Sequence, residues 1–500
     1  MSYDAIIIGS GAGGSAAAYR LVKGGKRVLL IEKGLPLPVD GSTLDIKQVL
    51  GLGVFKSREQ WLDKNNRFFV PEEYFNLGGK TKWYGAALLR FDRTEFAPEE
   101  ELKCLGWPII YDDIAPYYAE AERLLGVRCF GIEPDLVAIR DRIARLDSGW
   151  RTIPLPLALS PDILTEAHEA RHFDGFASAG GFKADAQNTL LSQILDQNNF
   201  TLITGQAVMK LVADPADARR IAGVLLEDGR RFTADTSLLA AGAMHSPRLL
   251  QAYLEDHALT DQLPCAGLIG RHFKRHLLTA MLALSGSRKT DAIRKTTIWL
   301  NDRYPHGSIQ PLGFGDDVLM ALMPRAVPRT LAYRLAKHAY GFFLQTEDGS
   351  DPANRILSVA KDAETRQPKL DYDPERFPEL AKEHKNMINN FRNVLIRAGY
   401  ISFTQSIPLA GTAHACGTLV AGRDPELSVV DPHGKVHGLD NLYVVDGSIL
   451  PRSSRVNPAL TIYAWALRTA DYLATCHHTQ DHLQENNHDL QQNPSRTTAA

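Results

Sequence analysis

The sequence predicts an α/β protein, α+β in its overall make-up. It should contain a Rossmann-like dinucleotide-binding domain and a second region built on an antiparallel sheet. Three observations carry this. The first 33 residues read as strand, glycine turn, helix, strand and acid. A strand-rich stretch from Phe200 runs into a small-residue turn at Gly242. Residues 280–350 alternate apolar and polar side chains with several prolines, as antiparallel strands with insertions do, and one face could floor a substrate site.

The opening stretch is the most specific. Ala5–Ile8 is a short apolar run rich in β-branched residues, suited to a buried parallel strand. Gly9-Ser10-Gly11-Ala12-Gly13-Gly14 then fits G-x-G-x-x-G. In that pattern Gly9 allows the tight turn, Gly11 lets the backbone approach a pyrophosphate, and Gly14 lets the helix pack close to the strand. A helix over about Ser15–Lys23 would aim its N-terminal N–H groups at the same pyrophosphate. Val28–Ile31 is the second strand, and Glu32, with Lys33 beside it, follows where a carboxylate would bind ribose hydroxyls. An acid there also repels the 2′-phosphate of NADP.

Composition narrows the class. At 500 residues the chain exceeds one simple domain and suggests two to four modules. Apolar content of 44% and charge of 23% are ordinary for a globular protein, and a net charge of −2 gives no reason to expect a nucleic-acid partner. Five scattered cysteines, none at C-x-x-C spacing, fit neither a disulfide framework nor a zinc ribbon. The chain begins directly on its first strand. No apolar run reaches the roughly 18 residues that read as a spanning helix, so the expectation is a cytoplasmic protein without an integral membrane segment.

Along the chain, residues 35–76 lack a period and read as an irregular connection. Gly78-Gly79 precedes a helical stretch and permits close approach to a cofactor ring. Asp112-Asp113 is expected to N-cap a helix ending near Leu125. Prolines in 154–161 and Gly180-Gly181 mark loops, so 151–190 reads as a connection. Strands follow at Thr201–Thr204, Ala207–Val212 and Ile221–Leu226, then an Asp228-Gly229 hairpin turn, and a buried strand from Ser237 into Ala240-Ala241-Gly242-Ala243. Ser246-Pro247 opens a helix, and Arg376–Tyr400 is one long helix by its apolar spacing. The substrate domain would take 276–410, and 476–500 would be a disordered tail whose histidines (His477, His478, His482, His488) are solvated.

The chemistry is expected in the last block. Thr412–Thr418 places His414 among small residues. Leu442–Val445 is a strand ending in Asp446-Gly447. Asn457 is expected to N-cap a helix to about Leu473, with Pro458 at its first position and a positive dipole end suited to a flavin's pyrimidine edge. Oxidising an alcohol on a flavin requires removing the hydroxyl proton and passing the α-hydrogen on as hydride. A neutral histidine suits the first task, so His414 is the candidate base, and Asn457 could orient the alcohol oxygen. Cys416 has no partner thiol at redox spacing, which argues against a thiol mechanism.

Together these blocks resemble the glucose–methanol–choline (GMC) family of FAD-dependent oxidoreductases. The carrying motifs are Gly9–Gly14 with Glu32, Gly78-Gly79 with Thr81, Trp107-Pro108 through Tyr118, Gly242–Leu250, His414–Thr418, and Asp446-Gly447-Ser448 with Asn457-Pro458 and Thr461. The resemblance implies FAD as cofactor, an FAD domain assembled from the separated segments 1–150, 191–275 and 411–475, and a His–Asn pair, His414 and Asn457, facing the flavin. It implies flavin contacts from the loop holding Gly79, Thr81 and Tyr84, adenine contacts near Val208, and ribityl–pyrophosphate contacts at Asp446-Gly447. Ala241, Gly242, Pro458 and Thr461 complete the implied cofactor set. No histidine lies between Gly78 and Arg90, which implies noncovalent FAD. Lys80–Tyr84 and the end of the Ser246-Pro247 block depart from the usual pattern, closer to the bacterial sugar- and polyol-dehydrogenase branch than to fungal oxidases. The implied reaction is hydride transfer from a CH–OH group of an alcohol, sugar or polyol to flavin N5. The acceptor would be a quinone, oxygen or another oxidant, and a dehydrogenase is preferred to an oxidase. The alternatives are an NAD-dependent dehydrogenase sharing the first motif and a flavin-binding module without catalysis.

Overall fold

The computed structural model describes residues 2–323, 327–360 and 366–492; of residues 360 and 476–492 only the backbone is described. β1 (Ser2–Ile8), α1 (Ala12–Lys23) and β2 (Val28–Glu32) form the opening unit. Ile6, Ile7, Leu29 and Leu30 are fully buried, as strands covered on both faces require. α1 begins at Ala12, ahead of the expected Ser15, because Gly11 holds the extended N-cap conformation and the helix starts inside the glycine turn. Residues 35–76 are less irregular than their composition suggests. Trp61–Leu62 and Phe68–Phe69 pair as short strands and join Arg355–Ala360 and Arg366–Asp371 in a small sheet.

α2 (Tyr111–Leu124) corrects one capping assignment. The N-cap is Ile110, and Asp112 and Asp113 lie inside the first turn, from which Asp113 accepts the Ile110 N–H at 3.1 Å. The acid still satisfies an orphan donor, but from the third helical position. α3 (Pro134–Leu146) has no counterpart in the sequence reading, although Leu136, Ile139 and Ile143 repeat at helical spacing and are fully buried. β3 (Arg151–Pro154) follows.

β4 (Phe200–Thr204), β5 (Val208–Ala213), β6 (Ile221–Leu226), β7 (Arg231–Leu239) and α4 (Ser246–Asp256) lie where the sequence places them, with Gly229 in the left-handed region at the hairpin turn. The second region comprises β8 (Leu277–Leu284), β9 (Thr297–Leu300), β10 (Gly307–Pro311), α5 (Asp316–Leu322), α6 (Arg329–Ala336), β11 (Ala339–Thr346), α7 (Pro378–Arg397) and β12 (Ile401–Ser406). β13 (Leu442–Val444) and α8 (Ala459–Gln492) close the chain. α8 continues over the first part of the tail expected to be disordered. Its sequence holds no glycine or proline before Pro494 to stop a helix. Residues 493–500 and the side chains of the tail histidines lie outside the described set.

Two sheets organise the core. The first has the order β4-β2-β1-β7-β6-β5, with β13 also paired to β7. β4, β2, β1, β7 and β13 run parallel, and β5 and β6 are antiparallel additions. β7 is long enough to pair β6 through its first half and β13 through its last. The second sheet is antiparallel, order β12-β8-β11-β10-β9-β3. Period-2 alternation divides its faces. Met281, Trp299, Phe342 and Leu344 pack against α3 and α7 through Leu136, Ile139, Met387 and Phe391. The opposite face, with Leu278, Ala280, Leu282 and Phe343, is turned to the cavity described next.

Candidate active site

One cavity of about 2140 Å³ runs from the glycine turn after β1 to the open face of the antiparallel sheet. That is larger than one drug-sized ligand needs and leaves space for a dinucleotide and a second molecule. The expected residues Gly9, Gly11, Ala12, Gly13, Glu32, Lys33, Gly79, Thr81, Tyr84, Val208, Ala241, Gly242, His414, Asp446, Gly447, Asn457 and Pro458 all line it. Gly14 and Thr461 do not. Gly14 lies under the turn, where a Cβ would sit 1.9 Å from the Gly9 carbonyl oxygen. Thr461 is fully buried and bonds the Tyr118 hydroxyl at 2.7 Å, fastening α8 to α2.

The glycine turn is built for close approach at one position. A Cβ on Gly13 would strike the Val445 carbonyl oxygen at 1.8 Å, whereas a Cβ on Gly11 would meet nothing within 4 Å. Gly11 therefore faces open cavity, and its missing side chain is room for a ligand. Glu32 is buried. Its carboxylate accepts from Ser10 N (2.9 Å), Ser10 Oγ (2.6 Å) and Gly34 N (2.8 Å). Burial raises its pKa against these hydrogen bonds, which lower it. Further along, Gln206, His245 and Arg248 line the cavity, and each has a buried polar atom without a hydrogen bond to the protein (Gln206 Oε1, His245 Nε2, Arg248 Nε). Unmet donors and acceptors around an open cradle fit a polar ligand of dinucleotide size.

Asp446 is not free to grip a ligand with its side chain. It accepts from Gly242 N (2.8 Å), Ser448 N (2.9 Å) and the Ser246 and Ser448 hydroxyls, so it ties the turn after β7 to the turn after β13. Tyr84 presents its ring while its hydroxyl donates to the Ala184 carbonyl at 2.6 Å. Thr81 donates to Gly78 O (2.6 Å) and accepts from Ala186 N (3.0 Å), holding the glycine-pair loop in place.

The catalytic candidates meet where the two sheets face each other. His414 has a positive φ of 60°, a conformation that costs energy outside glycine and is maintained only by its surroundings. Its Nδ1 lies 2.7 Å from Nδ1 of His276, and His276 Nε2 lies 2.6 Å from the Ser454 carbonyl oxygen. A carbonyl only accepts, so His276 carries its proton on Nε2, and its bare Nδ1 accepts from His414 Nδ1–H. That fixes the His414 tautomer and leaves the lone pair on Nε2. Burial, and then the neighbouring His276, hold the His414 pKa well below the ordinary imidazole value, and burial lowers that of His276 as well. Both rings are therefore neutral at pH 7.

Asn457 does not act as the expected N-cap. α8 starts at Ala459 with the Pro458 carbonyl accepting its first bond, and the Asn457 Oδ1 accepts instead from Gln310 Nε2 at 2.5 Å. The sheet competes for the amide and wins, so Asn457 is oriented toward the cavity by β10. Cys416 is buried, and burial pushes its thiol up to about 12, which leaves it unreactive. His276, buried against His414, and Gln310 and the Lys295–Asp174 ion pair (2.7 Å) on the cavity lining are features that no motif marks. The one available signal for His276 was a histidine directly before the alternating strand Leu277–Leu284.

A parallel sheet with a glycine-lined cradle, joined to an antiparallel sheet with a histidine pair at their meeting point, fits a dinucleotide-dependent oxidoreductase. Comparison with known proteins makes this specific. GMC oxidoreductase family profiles match residues 3–278 and 355–466. The chain belongs to the GMC oxidoreductase family, whose members are FAD-binding flavoenzymes acting on CH–OH groups. It is 31% identical to paromamine 6′-oxidase of Streptomyces fradiae, over 94% of this chain and 91% of that one. It is 24% identical to the oxygen-dependent choline dehydrogenase of Rhizobium johnstonii, over 90% and 92%. In three dimensions it is similar to pyridoxine 4-oxidase from Mesorbium loti (TM-score 0.69, 20% identity, 94% and 98% covered). It is also similar to Aspergillus oryzae formate oxidase (TM-score 0.70, 14% identity, 96% and 99% covered). Among the described residues no helix is long and apolar enough to cross a membrane.

Proposed function

We propose that the protein oxidises a CH–OH group of an alcohol, sugar or polyol to the carbonyl, with His414 as the base. The observation that carries this is the Ser454–His276–His414 relay, which leaves a neutral Nε2 on the cavity wall where the dinucleotide cradle meets the substrate sheet. His414 Nε2 takes the hydroxyl proton. Asn457, held by Gln310, positions the alcohol oxygen. When bound, FAD supplies the acceptor for the α-hydrogen, which leaves as hydride. The residues present fit such a cofactor: Gly11 leaves the pyrophosphate cradle open, Glu32 stands at the ribose end, and Gly79, Thr81 and Tyr84 flank the flavin end. No histidine lies in the stretch from Gly78 to Arg90, in keeping with noncovalent binding.

His414→Ala should retain FAD and slow anaerobic flavin reduction by about 10²–10⁴-fold, the usual contribution of a general base. Near-wild-type reduction in stopped flow would sink the assignment. The names of the relatives include both oxidases and dehydrogenases of alcohols and sugars. The preference for a dehydrogenase rests on the looser match of the Ser246-Pro247 block to the fungal oxidase pattern. Complete reoxidation by air within one turnover time would overturn that preference.

A further inference from the structure

Resting on the reading of His414 as base, we propose that the substrate is an alcohol bearing an extended alkyl or aryl group rather than a sugar or amino sugar. The cavity floor is a set of cross-strand rows whose polarity changes with distance from the histidine pair. The row next to the pair holds Gln345 opposite Leu278. The next sets Ala280 between Phe343 and Gln405, with Gln310 opposite Phe343. The third sets Leu282 between Gly341 and Phe403, with Leu312 bonded across to Gly341. Rows two residues apart are separated by about 7 Å, so the floor turns wholly apolar about 14 Å from the first row. Leu319 and Met323 of the α5 region line the same end, and Phe403, 57% exposed on the edge strand, marks its mouth.

The polar groups on this floor are largely engaged. Gln310 donates to Asn457 Oδ1 (2.5 Å), and Gln345 donates to the Arg455 carbonyl (2.9 Å). Lys295, just before β9, is neutralised by Asp174 at 2.7 Å, and the cavity-lining Glu59, Glu72 and Glu73 are paired with Arg248, Lys56 and Lys80. A sugar would bury several hydroxyls without partners at this end, and an amino sugar would bury ammonium groups facing no carboxylate that is not already ion-paired. Both are costly. An alkyl or aryl group gains from the same wall. Only the carbinol needs polar contacts, and those sit at the His414 end. The carbinol loses its proton to His414 Nε2 and its α-hydrogen with the electron pair to the bound flavin, giving the aldehyde or ketone.

The test is anaerobic flavin bleaching of the holoenzyme by a homologous series of straight-chain primary alcohols from ethanol upward, with benzyl alcohol, glucose and glucosamine alongside. Affinity should rise about fourfold per added methylene until the chain fills the apolar rows, benzyl alcohol should bleach, and glucose and glucosamine should not. Leu282→Asn should cut the ratio of decanol to ethanol kcat/KM at least tenfold, and an unchanged ratio counts against the proposal. Bleaching by glucose or glucosamine without chain-length dependence overturns the substrate class while leaving the base assignment intact. Failure of every alcohol to bleach the flavin overturns both.

Discussion

Replacing His276 by phenylalanine should slow flavin reduction without expelling FAD, because His276 acts only through His414. In the wild type the His276 Nε2–H donates to Ser454 O at 2.6 Å, and its Nδ1 receives the His414 Nδ1–H at 2.7 Å. Phenylalanine keeps the bulk and removes the acceptor. The buried His414 N–H is then left without a partner, which costs about 1–3 kcal/mol, or roughly 5- to 150-fold in the population of the productive tautomer and orientation. His276→Asn places an amide oxygen near the former Nδ1 and should recover most of the loss. A second readout separates this from simple damage to packing. His276 is, after burial, the next largest influence holding the His414 pKa down. As the proposed base, His414 works when neutral, so the rate should fall as pH drops through its pKa, and in the wild type that limb should lie well below 6.5. Removing His276 should move the limb upward, though burial keeps it below the ordinary value. The assay is the pH profile of anaerobic flavin reduction in stopped flow. A His276→Phe enzyme that binds FAD, reduces within twofold of wild type and keeps its acid limb in place would refute the relay.

Three further outcomes concern the glycine turn, Glu32 and His306. Gly11→Ala meets no atom within 4 Å and should leave apoprotein stability within about 1 kcal/mol while weakening FAD at least tenfold, whereas Gly14→Ala, 1.9 Å from Gly9 O, should destabilise the apoprotein by about 1–3 kcal/mol; thermal melts with and without FAD distinguish the two, and equal effects would contradict the assigned roles. Glu32→Ala removes a charged acceptor of Ser10 and Gly34 and should raise the FAD Kd by about 10- to 150-fold in a fluorescence titration, with an unchanged Kd counting against a ribose-end role. Burial alone would lower the pKa of His306, but Glu383 and Glu99, each 2.9 Å away, raise it to about 9. A raised folded-state pKa stabilises fully below the unfolded value near 6.5 and is lost as pH rises through 9, so up to about 3 kcal/mol should disappear over that window. His306→Gln should flatten that part of the Tm–pH curve.

The sequence was most readable where the chemistry is local. The turn from Gly9 to Gly14 needs only its neighbours to specify it, and the strand, helix and acid around it lie within the first 33 residues. Strands β4 to β7 were likewise set by alternation and an Asp-Gly turn. Legibility fell wherever a long-range partner decided the outcome. Asn457 has the residue type and the following proline of an N-cap, yet Gln310 takes its amide. Thr461 belongs to the right motif, but the turn of α8 on which it sits faces Tyr118 rather than the cavity. His276 is 138 residues from His414, and only the pairing of β8 within the antiparallel sheet brings the two rings together. The substrate floor was readable as alternating strands, but its polarity gradient depends on register, which no single strand reveals.

The site also shows where local rules yield to the fold. His414 and Ser454, the two ends of the relay, both adopt left-handed backbone conformations at φ of 60° and 65°, which non-glycine residues avoid. Each is held by contacts that are already committed. The Ser454 N–H donates to Glu347 (2.9 Å) and its hydroxyl to Glu95 (2.7 Å), while Glu347 is locked by Arg452. With Ser454 pinned, its carbonyl can only present itself to His276, and His276 can then only accept from His414. The strain at the two ends is therefore coupled through a rigid chain of donors and acceptors. That coupling explains how a histidine on a loop of small residues keeps one tautomer and one orientation without a carboxylate to hold it.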